Sequence, residues 1–463
     1  MLDGRKNRKK KARRSPHSLP KIRPNVAGID LGSAEHWAAG PPQVDGTPNV
    51  LVVGSTTAQL NQLADWLVEQ GIESVAMEST GVYWIPVYEL LEDRGIEVWL
   101  VDARQLRSVP GRKTDMKDCQ WLQLLHACGL LRRSFRPVDA ICRLRTLHRQ
   151  LQNLIQESTK CVQWMQKSLD QMNVQVHRAV TDITGKTGMA IVRAILEGER
   201  DPKKLASLRD RRCKKSAEEI AECLTGNWRE DHIFNLAAAL QLYDRFREMI
   251  AAYEARLRSE LQALQPSERH NQPVPPHPVR RKEKAIVKRG EQGMRIHLWR
   301  FAGVDLFRID GISSSASLTV LTEVGPDVSM FPTEANWVSW LGLSPKKGYS
   351  AGKPVKHRPK GMGATRIANV LRMCAKSLQR SKTALGAFFR RTARRKGYQV
   401  AVFATARKLA RHIYRMLRYG QDYVDIGEAA YEAQFERRRI AGIAAAARDL
   451  GFKLVPAEEV ASG

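Results

Sequence analysis

The sequence predicts an α/β domain followed by mostly helical chain, an α/β plus α architecture. Three observations predict it. Between Val26 and Val101, short apolar runs alternate with amphipathic stretches. Beyond Leu144, apolar residues recur at three- and four-residue steps over long spans. Between them and the last third, residues 265–295 are rich in Pro and in basic side chains, a semi-rigid linker composition. The implied organisation is a basic arm (1–24), an α/β domain (25–138), a helical domain (139–264), a linker (265–300), a C-terminal domain (301–420) and a helical tail (421–463).

The arm carries Arg5, Lys6, Arg8 and Lys9 among other cations and lacks apolar periodicity. It is expected to be disordered without a partner. With no apolar stretch behind those charges, it does not read as a secretory signal. Val26-Ala27-Gly28-Ile29-Asp30-Leu31-Gly32 is the first strand, an apolar run bearing one carboxylate. Val50–Val53, Ser74–Met77 and Glu97–Val101 are further strands, and Leu60–Glu69 and Val87–Arg94 are amphipathic helices. A helix is expected from about Asp115, with Trp121, Leu122, Leu125 and Leu130 as its apolar pattern.

The whole chain of 463 residues has 76 Lys+Arg against 48 Asp+Glu, a net charge of +28. Such an excess speaks of partners rather than fold, and nucleic acid leads. No run of about 18 apolar residues exists, so no spanning helix and no membrane partner is expected. The seven cysteines include no CxxC pair. Neither a zinc knuckle nor a disulfide framework is indicated, and reduced thiols in a cytoplasmic protein are expected.

Four acids stand out. Asp30 lies inside the first strand, and Glu78 ends another in Met77-Glu78-Ser79-Thr80-Gly81. Asp115 and Asp118 share one face of a helix start. A buried carboxylate needs a partner. For each acid alone, a local hydrogen bond or an arginine is the simpler reading. Asp115 and Asp118 also suit a helix N-terminus, with Arg112, Lys113 and Lys117 softening their repulsion. Taken together, the four could converge on one or two hard divalent cations, magnesium (Mg2+) or manganese (Mn2+). Such a pair can clamp a phosphodiester.

Gly-Ile-Asp-Leu-Gly at 28–32, Met-Glu-Ser-Thr-Gly-Val-Tyr-Trp at 77–84 and Lys-Thr-Asp-Met-Lys-Asp at 113–118 occur in that order. The set resembles a RuvC-like, ribonuclease-H-fold nuclease domain. More narrowly, it is similar to the DEDD insertion-sequence transposases of the one-ten family, whose studied members are bridge-RNA-guided recombinases. The resemblance covers residues 26 to about 137 and implies that Asp30, Glu78, Asp115 and Asp118 hold the metal. The segment Asp182–Pro202 also looks like longer members of that family.

Leu144, Leu147, Leu151, Leu154, Cys161 and Met165 form one helical stripe. Leu236, Ala239, Tyr243, Phe246, Ile250, Tyr253 and Leu257 form a second. Two such stripes predict either a long coiled-coil arm, antiparallel or dimerising, or a helical core within one subunit. The Gly185-Lys186-Thr187 between them is not a P-loop, because Val180 stands where the earlier glycine is needed and no strand leads in.

In the last domain, Lys347-Gly348-Tyr349-Ser350-Ala351-Gly352-Lys353 is a short cationic loop, followed by Arg358, Lys360 and Arg366. By its residues alone it is a phosphate-binding loop in which Ser350 donates a hydrogen bond. In the family this segment typically reads Ser-Gly-Gly-Lys with the serine as nucleophile, and Ala351 is the one departure. The resemblance therefore implies Ser350 as nucleophile in a mostly helical C-terminal transposase domain. Arg112, Lys113, Lys117, Lys353, Arg358, Lys360 and Arg366 are the expected nucleic-acid contacts. The cations from Arg372 to Arg415 are read as a further contact face. The family also implies DNA as substrate, a noncoding guide RNA, and a dimer or tetramer whose site combines acids and serine from different subunits. Rival readings are a junction nuclease using water, a non-catalytic binding protein, and an actin-like kinase. The kinase would need a second Asp-x-Gly phosphate motif that the later half does not supply.

Overall fold

The structure is a computed structural model. It describes residues 20–78, 81–102, 115–213, 215–267, 291–344, 348–350, 353–355 and 365–455, with the backbone only of 115–117, 291–292, 348–350 and 353–355. Two compact units result, Met1–Arg136 and Pro137–Gly463.

The first unit is built on a sheet of β1 (Val26–Leu31), β2 (Glu35–Ala39), β3 (Val50–Gly54), β4 (Ser74–Glu78) and β5 (Glu97–Val101), in the order β3-β2-β1-β4-β5. β1, β2 and β3 pair antiparallel, whereas β4 and β5 run parallel to β1. This mixed order is consistent with a ribonuclease-H-like fold. β2 has no counterpart in the apolar pattern. It forms because the chain reverses directly after β1, with Gly32 N–H donating to Glu35 C=O at 3.0 Å, so backbone pairing compensates for weak side-chain signal.

Helix α1 (Thr57–Glu69) starts on a capping box between Thr56 and Gln59 and buries Leu60, Leu63, Ala64 and Leu67. α2 (Trp84–Asp93) buries Val87, Tyr88 and Leu91. Both feed one core with Ile29, Val75 and Met77. α3 (Asp115–Ala127) covers the other sheet face, with Leu122 and Leu125 packed on Ala76 and Val101. The expected helix is present, but Leu130 lies beyond its end and is exposed, after a turn at Gly129 with φ +66°.

In the second unit, α4 (Asp139–Gln171) and α9 (Glu230–Ala263) pack along each other. Much of both stripes is buried within one chain, Leu144, Leu151, Leu154, Cys161 and Met165 on α4 and Leu236, Ala239, Ile250 and Leu257 on α9, whereas Leu147, Tyr243, Phe246 and Tyr253 are half-buried. Four short helices fill the far end: α5 (Val176–Ala179), α6 (Lys186–Leu196), α7 (Pro202–Ser207) and α8 (Ala217–Cys223). They share a core with Met165, Leu169, Leu236 and Ala239.

The chain then forms α10 (Glu291–Ala302), α11 (Ser314–Val324), α12 (Glu334–Trp340), the hairpin β6 (Gly348–Ser350) and β7 (Lys353–Val355), and α13 (Arg366–Ser377). α14 (Ala384–Lys396), α15 (Tyr398–Tyr419) and α16 (Gly427–Asp449) follow. α15 is the hub, packed by α12, α13 and α14. Its Tyr414 hydroxyl donates to Phe331 C=O at 2.7 Å, and Trp337 donates from α12 to its Ala410 C=O at 2.9 Å. Among the described residues no helix is long and apolar enough to cross a membrane.

Candidate functional site

Strand register sets two of the four sequence-predicted acids level, and helix packing brings the segment of a third against the same strand. β1 and β4 pair in parallel with Ile29 opposite Met77. Asp30 and Glu78 follow those residues directly, so they stand level at the ends of neighbouring strands. Side chains alternate between the faces of a strand. Ile29 and Met77 point into the core under α1 and α2. Asp30 and Glu78 therefore belong to the opposite face, the one α3 covers.

Gly28 sets how closely α3 approaches. A Cβ there would lie 2.3 Å from Gln123 N, 2.4 Å from Cys119 O and 2.7 Å from Leu122 Cβ. Only glycine lets strand and helix backbone meet at that distance. The contact places Asp118, one residue before Cys119, beside the end of β1. Burial pushes the Cys119 thiol up to about 11, and the charges of Asp30 and Asp118 add to the rise. Both carboxylates thus act on the same buried thiol. Asp115 is the first residue of α3, three positions before Asp118. Among the described residues, no group of three or more His, Cys, Asp or Glu side chains is arranged as a metal site; the side chain of Asp115 is outside them.

Ser350 ends β6 and pairs with Lys353, the first residue of β7. Serine and lysine thus stand opposite in backbone register at the closing end of a two-stranded hairpin. Arg366 opens α13 behind a Thr365 cap. Its side chain is about half exposed, with Nε 3.9 Å from Glu323 Oε1. Lys117 lies in the first turn of α3. Arg112, Lys113, Arg358 and Lys360 lie outside the described residues, as do the arm to residue 19 and residues 268–290 of the linker.

Sequence reasoning missed the polar cluster around Glu323. This carboxylate sits on α11 among buried neighbours, with its side chain 9% exposed. Arg149 on α4 grips it with two hydrogen bonds of 2.8 and 2.7 Å. Arg145 adds a contact at 3.6 Å and donates to the Glu323 carbonyl. His148, on the same helix, lies 3.0 Å from Thr322 Oγ1 through Nδ1, and burial pushes it down to about 4. The cluster ties the long helix α4 to α11, and through Arg366 to the helix that follows the serine hairpin. The signal was available as one carboxylate in the run Leu318-Thr-Val-Leu-Thr-Glu-Val324.

The basic run of the last domain divides in two. Arg411 and Arg415 both pair with Glu334, and Arg390 pairs with Glu428. Arg391 stacks on Phe435 at 3.7 Å and Tyr431 at 4.7 Å. Those cations serve the fold. Lys376, Arg380, Lys382, Arg394, Arg395 and Lys396 are exposed.

A family model described as Transposase, of the DEDD IS110 type, matches residues 27–174. A second, described as Transposase IS116/IS110/IS902 family, matches residues 304–390. No curated protein matches the chain. The first match contains the sheet and all four acids, and the second contains the serine hairpin. Fold and matches together define a transposase, a DNA-processing enzyme. The chain belongs to the IS110 family, the one-ten family of insertion-sequence transposases.

Proposed function

We propose that the chain is a metal-dependent DNA recombinase that excises and inserts an insertion sequence with Ser350 as nucleophile. The observation that carries this reading is the strand register that sets Asp30 and Glu78 level on the sheet face α3 covers, with Asp118 one residue before the close contact of Cys119 with β1. Carboxylates at the ends of neighbouring strands favour positive partners, and a bound cation is one that could serve several of them at once. Asp115 completes the set from the first turn of α3. The donors are all carboxylate oxygens, which fits magnesium, with manganese second. Bound there, such a cation would offset negative charge on a phosphodiester.

In the proposed step, Ser350 Oγ attacks a DNA phosphorus and gives its proton to solvent. The P–O bond to one strand end breaks, and that end leaves as a hydroxyl. A hydroxyl end of another strand then attacks the phosphoserine, which restores the serine and rejoins DNA. One phosphodiester is lost and one made, so no outside energy source is needed. Lys353, opposite Ser350, and Arg366 would stabilise charge on the phosphoryl oxygens. Arg112, Lys113, Lys117, Arg358 and Lys360 would hold the nucleic-acid backbone.

The acids belong to one compact unit and the serine to the other. A dimer or tetramer with a composite site accommodates that division, with α4 and α9 as a coiled-coil arm paired within each chain. A noncoding bridge RNA would supply the guide, and the enzyme would work in the cytoplasm, on the nucleoid of a bacterial or archaeal cell.

Incubation with a nicked substrate, followed by denaturing electrophoresis, tests the chemistry. The wild type should form a covalent DNA adduct, and Ser350→Ala should form none. Full-rate nicking by Ser350→Ala would replace this reading with a junction nuclease using water. RNA that co-purifies with the wild-type chain tests the guide.

A further inference from the structure

We propose that Trp37 on β2 is a stacking platform for one unpaired base of the DNA, set beside the phosphodiester that the carboxylates would hold. This role rests on the reading of Asp30 and Glu78 as acids that serve DNA, and not on the serine chemistry.

Register sets the position. β2 pairs with β1 so that Trp37 stands opposite Asp30, and with β3 so that Trp37 stands opposite Val52. Residues opposite one another across paired strands share a face. Glu78, Asp30, Trp37 and Val52 therefore form one row across four strands, on the face α3 covers. Neighbouring strands lie about 4.8 Å apart, so the indole rises from the strand next to Asp30 and the second from Glu78. α3 closes the inner part of this face. Ala39, opposite the Gly28 where helix and strand meet, is 1% exposed. Trp37, two positions nearer the edge, is only half-buried, and Val52 beside it is 42% exposed.

The ring is held in orientation. Its Nε1 donates to Glu35 Oε1 at 3.1 Å. Glu35 is two positions away on the same strand and face, level with Gly32 just past the end of β1. That bond draws the indole towards the edge at which Asp30 and Glu78 stand and satisfies its one polar atom. Backbone phosphate is a poor occupant here, because β1 to β4 contain no Lys or Arg and Glu35, Asp30 and Glu78 share the face. A base offers an uncharged π face, and it stacks on an aromatic ring whatever its identity. It must be unpaired, since bases inside a duplex are already stacked on their neighbours. A cation on the carboxylates would then hold a phosphate while the indole holds a base next to it. That the strand is DNA rests on the transposase family.

Photo-crosslinking of the full-length wild type to a single-stranded oligodeoxynucleotide containing 5-iododeoxyuridine, followed by peptide mapping, tests the contact. An adduct should fall on Trp37. Adducts elsewhere with none on Trp37 overturn the proposal, as does a Trp37 adduct formed only with 5-iodouridine RNA of the same sequence. Fluorescence anisotropy with a labelled single strand tests the ring. Trp37→Leu should weaken binding about tenfold, the scale of one stacked base, and leave the log–log salt slope unchanged, because no phosphate contact is lost. Trp37→Phe keeps a ring and should bind within about threefold of the wild type. Equal binding by Trp37→Leu and wild type overturns the proposal, as does a loss that Trp37→Phe shares in full. If Trp37→Leu unfolds earlier, Trp37→Phe and the wild-type crosslink decide. Strand transfer separates the two ways of failing. Full activity in Asp30→Asn would sink the reading of the acids. An inactive Asp30→Asn beside a Trp37→Leu chain that binds and transfers like the wild type would sink only the role of the indole.

Discussion

Asp30 and Glu323 are both carboxylates set into apolar elements, and their surroundings differ in kind. Glu323 is ringed by guanidinium groups from two helices, Arg145 and Arg149 on α4 and Arg366 on α13. Asp30 stands level with Glu78 and in reach of the thiol beside Asp118. One region gathers guanidinium groups from two helices around one acid, and the other sets two carboxylates level at the ends of neighbouring strands. The first arrangement joins elements. The second is the kind found where charged groups are positioned for a task.

Removing one charge from each region separates the two roles most sharply. Asp118→Asn should lower excision and insertion by about a thousandfold or more, on the scale of losing a group that positions catalytic charge. Its unfolding temperature should move little, because Asn keeps the shape of Asp and can still hydrogen-bond. A strand-transfer assay beside a thermal melt reads both. A large loss of stability with activity intact would place Asp118 among the structural acids.

Gly28→Ala attacks the same region through packing. The new Cβ would meet backbone atoms of α3, 2.3 Å from Gln123 N and 2.4 Å from Cys119 O. Backbone cannot rotate away as a side chain can. The helix must move, at a cost of about 3 kcal/mol, the upper end for overpacking. Activity should fall further than the stability loss accounts for, since the movement carries Asp118 away from Asp30. A denaturant titration paired with strand transfer checks this.

Glu323→Ala should behave oppositely to Asp118→Asn. It leaves Arg145, with only 19% of its side chain exposed, without its carboxylate. Breaking a fully buried pair costs 3–5 kcal/mol, and an exposed one 0–1. Arg149 is 43% exposed and Glu323 9%, so a loss of about 2 kcal/mol is expected, measured by denaturant unfolding. Arg149→Ala should cost less, because Arg145 and Arg366 remain to face the acid.

The histidine beside that cluster adds a pH dependence. Burial pushes His148 down from the ordinary 6.5 to about 4. Between those values the unfolded chain binds a proton that the folded chain refuses. The contribution is therefore complete above pH 6.5 and is lost as the pH falls towards 4, up to about 3 kcal/mol in all. His148→Asn should flatten the acid limb of the stability curve. In the sheet unit, His126 is likewise pushed down to about 4, with Ser74 Oγ 2.9 Å from its Nε2. Melts of His148→Asn and His126→Asn between pH 4 and 7 should each lose part of the limb.

The same contrast explains what could be read in advance. β1, β3, β4 and β5 stood out because each is a short apolar run with clear bounds, and Asp30 stood out because a carboxylate interrupts such a run. β2 did not, since Glu35-His36-Trp37-Ala38-Ala39 has neither alternation nor β-branched residues and depends on the chain reversal after β1. Glu323 carried the same local signal as Asp30. Its partners lie 174 and 178 residues earlier in the chain, and no spacing rule in a single sequence links such positions. The long stripes on α4 and α9 announced two helices, but not that each would find its partner within the chain.

The smallest expected effect concerns the basic run, which a linear reading treats as one face. Arg391 is held by Phe435, Tyr431 and Glu432, and α16 has no fully buried residue of its own. Arg391→Ala should therefore loosen α16 and speed its proteolysis, with a loss near 1 kcal/mol from the cation–π contacts. Arg394 and Arg395 close the last turn of α14 and are exposed. Arg394→Ala/Arg395→Ala should change unfolding by no more than about 0.5 kcal/mol while reducing the salt dependence of DNA binding. If the two variants traded outcomes, the division between cations that brace the fold and cations that meet phosphate would fail at this helix. Their proximity in sequence makes the comparison a strict one, because Arg394, facing water, stands only three positions after Arg391, which faces two aromatic rings.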